Sequence, residues 1–184
     1  MIFFEITPST KKDRYEFPLL SCSDSDPLIE WTKGVRASTD ATAAAKVPMN
    51  FVLQWGRSWK GQPMEKKADW PAAGLLRPAC SERFWNIVKP FADGAVWLRF
   101  PNFMSGERND WGFVFNLPLV DIETTWNGTA HEFFASNARE IDRRFFVSEK
   151  VKNQLVEAGM TGMKFKKMPL DEQAQRSRGD QKRR

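Results

Sequence analysis

The residues that could do chemistry are few, and their spacing decides most of them. His131 is the only histidine in the chain. It precedes Glu132, but Ala135 stands where a zinc-protease helix needs its second histidine, so the pair reads as surface or structural. Asp121 and Glu123 fall on one side of a candidate strand, roughly 7 Å apart, a spacing that could serve two-carboxylate glycoside hydrolysis. Acids opposite an apolar alternation are also the ordinary pattern of an antiparallel strand, and that is the reading adopted. Cys22 and Cys80 have no metal-like neighbours and no histidine partner in their sequence context, so they are expected as reduced thiols. Gly56, Gly61, Gly106 and Gly112 fit no phosphate loop or dinucleotide fingerprint, and no serine sits in a nucleophile elbow. The expectation is a protein that is not an enzyme and takes no metal and no cofactor.

Binding is the chemistry that remains. Two places combine tryptophan with arginine, a pairing enriched at the energetic centres of interfaces: Arg57 with Trp59, and Arg108 with Asp110 and Trp111. Trp55 and Trp111 also suit strand-end core positions. Trp59 and Arg108 fit no adjacent strand alternation, which makes them the better partner-binding candidates. Trp31, Trp55, Trp59 and Trp70 lie in or beside irregular segments, where tryptophan more often pins a loop to the core than anchors a partner.

Charge limits the kind of partner. The chain carries a formal +5, yet residues 173–184 alone hold +4 of it and leave a body near neutrality. A nucleic-acid module would place its basic face on the folded body. The tail from 171 to 184 is nearly devoid of apolar residues and is expected to be disordered. An arginine-rich tail beside exposed tryptophans keeps a nucleic-acid-binding accessory protein as the alternative. No apolar stretch approaches the roughly 20 residues that span a bilayer, and MIFFEITPSTKKD does not resemble a secretory signal, so a cytoplasmic protein without a membrane segment is expected.

Positioning these residues requires regular elements. A hydrophobic content of 41% with eight tryptophans is enough for a core, and one domain over residues 1–170 is expected. Ile2 to Ile6, Val47 to Trp55, Ala95 to Phe100, Trp111 to Leu117 and Val120 to Trp126 read as strands, the last by strict alternation. Tyr15, Phe17 and Leu19 alternate around Pro18, which suits an edge strand or a loop. Glu132 to Ser136 is a weaker segment, and it precedes Arg139 to Val147, whose Phe145, Phe146 and Val147 suit the end of a strand. Ser81-Glu82 opens a helix with Phe84, Ile87, Val88 and Phe91 on its buried side, ended by Pro90; Ser148-Glu149 opens a second with Val151, Leu155 and Ala158 inward. Gly159 is placed for a left-handed cap, and Met163 to Phe165 returns to a period of two. The fold class is α+β, mainly antiparallel, with two Ser-Glu-capped helices and a closing strand–helix–strand unit.

That closing unit carries a resemblance. Phe146-Val147-Ser148-Glu149-Lys150, a helix, and then Glu157-Ala158-Gly159-Met160-Thr161-Gly162-Met163-Lys164-Phe165 resembles the C-terminal signature of a bacterial immunity-protein family that accompanies polymorphic toxins. The resemblance covers about Leu75 to Met168. It implies a protein that binds and neutralises a cognate toxin domain by stoichiometric occlusion, and it assigns no catalytic residue.

Overall fold

The computed structural model describes residues 1–9, 68–70, 79–99, 110–122, 129–136 and 144–168 with their side chains, and residues 15–16, 18–22, 51–55, 58–59, 62–63 and 66–67 as backbone strands alone. In chain order these strands are β1 (Phe3–Pro8), β2 (Tyr15–Glu16), β3 (Pro18–Cys22), β4 (Phe51–Trp55), β5 (Ser58–Trp59), β6 (Gln62–Pro63), β7 (Lys66–Lys67) and β8 (Ala79–Ser81). Helix α1 (Glu82–Val88) and a 3-10 turn (Lys89–Phe91) lead into β9 (Val96–Arg99), β10 (Trp111–Phe115), β11 (Leu119–Val120), β12 (Phe133–Ser136) and β13 (Phe145–Ser148). Helix α2 (Glu149–Glu157) and β14 (Met163–Lys167) follow. The fold is α+β with mostly antiparallel sheets, as the periodicity predicts.

Two sheets organise the described core. The larger runs β11-β12-β13-β1-β14, and the smaller runs β8-β10-β9. In each, a strand from elsewhere in the chain lies antiparallel between the two strands that flank a helix: β1 between β13 and β14, and β10 between β8 and β9. The flanking strands are therefore parallel to one another, and each helix is the crossover of a split β-α-β unit. Three further pairs, β2 with β7, β3 with β4 and β5 with β6, stand apart from these sheets. Pro18 opens β3, a place where its missing amide breaks no ladder.

Both faces of the larger sheet carry buried apolar side chains. Phe4, Ile6, Phe133, Ala135 and Val147 join Phe84, Trp85, Val88, Val151 and Leu155 of the helices in one core, with Trp70 at its middle. Phe3, Val120, Phe134 and Phe146 form a second cluster. This follows from the pleat: alternate residues of β12 and β13 point opposite ways and aromatics occur in both sets, while β1 gives Phe4 and Ile6 to one face and Phe3, followed by Glu5 and Thr7, to the other. β10 is likewise buried along its whole length, so Gly112 and Val114 are as enclosed as Phe113 and Phe115. Gly112 has a steric role, because a Cβ there would overlap the Trp97 ring.

The structure corrects three details. The alternation from Val120 to Trp126 does not make one long strand: β11 ends at Val120, and the chain turns at Ile122. β11 has β12 as a partner over only two positions, and beyond them Ile122 packs into the second cluster instead of extending a ladder. Ala158, expected on the buried side of α2, is the exposed C-cap. Trp85, not counted on the inner side of α1, is buried there. Among the described residues no helix is long and apolar enough to cross a membrane. The expected tail, residues 171–184, and the start of the predicted strand at Val47 lie outside the described residues.

Candidate functional site

Two clusters bring serine, carboxylate and cation together, and they share one construction. At the start of α1, the Ser81 Oγ accepts the Phe84 amide at 3.2 Å and donates to Asp69 Oδ1 at 2.6 Å. The Ser81 amide donates to the Asp69 carbonyl at 3.0 Å. At the start of α2, the Ser148 Oγ accepts the Val151 amide at 3.3 Å and donates to Glu132 Oε2 at 2.8 Å, while its amide donates to the Glu132 carbonyl at 2.8 Å. Two residues into each helix a cation turns to the same carboxylate, Arg83 Nε to Asp69 at 3.6 Å and Lys150 Nζ to Glu132 at 3.3 Å. The residue after each acid is a fully buried aromatic, Trp70 or Phe133, and these two rings meet edge to face at 6.1 Å.

The clusters also tie each unit to the other. Arg83 donates to the carbonyls of Ala158 and Gly159 at 3.0 and 3.1 Å, neutralising the negative end of α2. Lys150 lies over the Phe91 ring, just past the end of α1, at 4.6 Å. Each helix thus starts beside the finish of the other, so the two run antiparallel. Asp69 Oδ2 further accepts the Thr161 amide at 3.0 Å and its hydroxyl at 2.9 Å, and the Asp69 amide donates to the Thr161 carbonyl at 2.9 Å. The corresponding contact at the other end is looser: His131 Nδ1 stands 3.4 Å from Asp93 Oδ2 without hydrogen-bond alignment.

These arrangements are structural chemistry. A nucleophilic serine needs an approach path and a base, whereas both hydroxyls here are buried and already hold a helix amide. Cys80 is enclosed, and burial first, then the nearby Asp69 charge, pushes its thiol well above the usual range, so it is a poor nucleophile. Asp121 is exposed just past the end of β11, and its expected partner Glu123 lies outside the described residues. Among the described residues no three His, Cys, Asp or Glu side chains gather as metal ligands.

The partner-binding candidates divide. Trp111 is wholly enclosed within β10, the strand-end core role, and offers no surface to a partner. Asp110 is half-buried, and its carbonyl accepts the Glu82 amide at the start of α1. Trp59 belongs to β5, with its side chain outside the described residues; Arg57 and Arg108 also lie outside them. Trp70 does what pinning requires: it stacks on Phe84 at 5.0 Å and meets Phe145 edge-on at 5.2 Å.

Sequence reasoning missed Asp69 altogether. The available signal is a paired pattern: Asp69-Trp70 ahead of Ser81-Glu82-Arg83, and Glu132-Phe133 ahead of Ser148-Glu149-Lys150. No protein-family model matches the chain, and no curated protein matches it.

Proposed function

We propose that this protein is a cytoplasmic immunity protein that binds a cognate toxin domain and neutralises it by occlusion. The observation that carries the reading is the closing segment, Phe146 to Phe165, whose Ser-Glu helix start and Gly-Met-Thr-Gly turn resemble the signature of bacterial immunity proteins. The residues of that signature hold the closing unit in shape. Ser148 caps α2, Gly159 and Gly162 adopt positive φ, and Thr161 closes on Asp69. A rigid scaffold of this kind is suited to presenting loops and strand edges to a partner. Occlusion at standard interface size would cover about 800 Å² on each protein.

The decisive experiment is to sequence the neighbouring gene, co-express the protein with any toxin domain found there, and record a binding isotherm on the purified pair. Protection together with saturable one-to-one binding supports the proposal, and survival of the toxin's activity in the presence of excess protein overturns it. The same isotherm tests Trp59→Ala and Arg108→Ala, each expected to weaken binding by at least about 1 kcal/mol if those side chains contribute anchors. Binding to RNA or DNA that falls steeply with salt would instead favour the nucleic-acid alternative.

A further inference from the structure

The match between the two helix starts extends through the strands, residue for residue. Ser81 pairs with Trp111 of β10, and Ser148 pairs with Phe3 of β1; both partners are aromatic and fully buried. The residue before each partner accepts the first amide of a helix. Glu82 donates to the Asp110 carbonyl at 2.5 Å, and Glu149 donates to the Ile2 carbonyl at 3.0 Å. The residue after each partner faces a cation: Gly112 pairs with Arg99 of β9, and Phe4 pairs with Lys167 of β14. Two positions back along those outer strands stand Trp97, opposite Val114, and Phe165, opposite Ile6. Within the helices, Phe84 and Val88 of α1 match Val151 and Leu155 of α2, all four fully buried.

Cap chemistry alone does not produce this agreement, because a cap acts within the first turn of its helix. Even the main departure is compensated: β10 has Gly112 where β1 has Phe4, and the Trp97 ring fills the space a Cβ on Gly112 would need. What differs is chain order. In the first unit the sequence runs β8, α1, β9, β10, so the inserted strand comes last. In the second it runs β13, α2, β14, and the inserted strand is β1, from the opposite end of the sequence. β1 stands where a strand continuing from β14 would stand. The Met168 amide donates to the Phe3 carbonyl at 2.9 Å, so the end of β14 and the start of β1 lie side by side.

We infer that the protein is two copies of one unit, an acid-aromatic segment followed by strand, helix, strand and strand, and that the second copy is circularly permuted so that β1 completes it. This holds whatever the protein binds. It also sets the order of assembly. β10 reaches its slot through residues 100–110, whereas β1 must find β13 and β14 across most of the sequence. The entropy of closing so long a loop is lost before any contact is gained, so β1 inserts after β10. Equivalent strands are told apart only by their place in the chain.

The test exchanges the two roles while keeping every residue. A permuted chain starts at Gly106, runs to Arg184, continues directly into Met1 and ends at Ser105. In it β1 follows β14, and β10 is the strand supplied from the opposite end. Residues 169–184 make the connection, ample for two strand ends that already touch. The permuted chain should keep a urea midpoint and a native amide-exchange pattern close to the parent's. Pulse-labelled hydrogen exchange during refolding reads the order of insertion. In the parent, the amides of β10 should gain protection several-fold sooner than those of β1, and in the permuted chain the order should reverse. An unchanged order overturns the inference, as does protection of β1 at or ahead of β10 in the parent. Should the permuted chain fail to fold, a second one, residues 10–184 followed by residues 1–9, moves β1 alone. That chain should fold and lose the lag of β1 behind β10; a retained lag, or failure of both chains to fold, overturns the inference.

Discussion

Asp69 and Thr161 are 92 positions apart in sequence, yet the Asp69 carboxylate accepts both the amide and the hydroxyl of Thr161 while also receiving the Ser81 hydroxyl. One buried side chain therefore joins the cap of α1 to the turn that follows α2. Removing it should cost more than removing its counterpart. Asp69→Ala removes the acceptor of the buried Ser81 hydroxyl and of the half-buried Thr161 amide and hydroxyl, and should destabilise by about 3 kcal/mol. Glu132→Ala, at a partly exposed position, should cost about 1 kcal/mol. Urea midpoints for the two variants check this, and equal losses would refute the central role of Asp69.

Gly159 and Gly162 both have positive φ, 63° and 82°, but they differ in room. A Cβ on Gly159 would meet nothing within 4 Å, whereas one on Gly162 would overlap Ala68 and stand 2.9 Å from the Trp70 carbonyl. Gly159→Ala should cost about 1 kcal/mol from backbone strain alone. Gly162→Ala should cost roughly 2 kcal/mol or more because the 68–70 segment must also shift. Thermal unfolding of the pair would show whether packing separates them.

Leu155 is fully buried in α2, and truncating it to alanine should destabilise by about 2–5 kcal/mol. Helical spacing alone puts Lys152 on the wet side, but its ammonium lies 4.3 Å from the centre of the Phe4 ring. Lys152→Ala should therefore cost about 0.5–1 kcal/mol. Denaturant titration distinguishes the two, and similar midpoints would show that the helix face is misassigned.

Cys80 should resist modification. Its raised thiol pKa keeps it protonated at mildly alkaline pH, and its burial denies access. In a Cys22→Ser background, a disulfide reagent should label Cys80 only as fast as the protein opens, with little acceleration as pH rises toward the ordinary thiol range. Rapid labelling of the folded protein, following a normal thiol titration, would contradict this placement.

Local chemistry made much of this protein legible in advance. Ser81 and Ser148 announce helices because a hydroxyl beside free amides is a nearest-neighbour effect. Gly159 ends α2, Pro90 sits within the 3-10 turn that follows α1, and the switch to a period of two beyond Gly162 marks β14, all for reasons contained within a few residues. The alternation past Val120 misled because it reports which side chains are apolar and not whether a neighbouring strand is present to accept the backbone. The exposure of Trp111 was likewise open in sequence, since an aromatic at a strand end suits a core and an interface equally; β8 and β9, which flank β10, settled it. Only the tertiary structure could insert β1 between β13 and β14 and bring Asp69 to Thr161. Those relationships join residues separated by tens of positions or more, and hydrophobic periodicity carries no record of which distant segment supplies the partner.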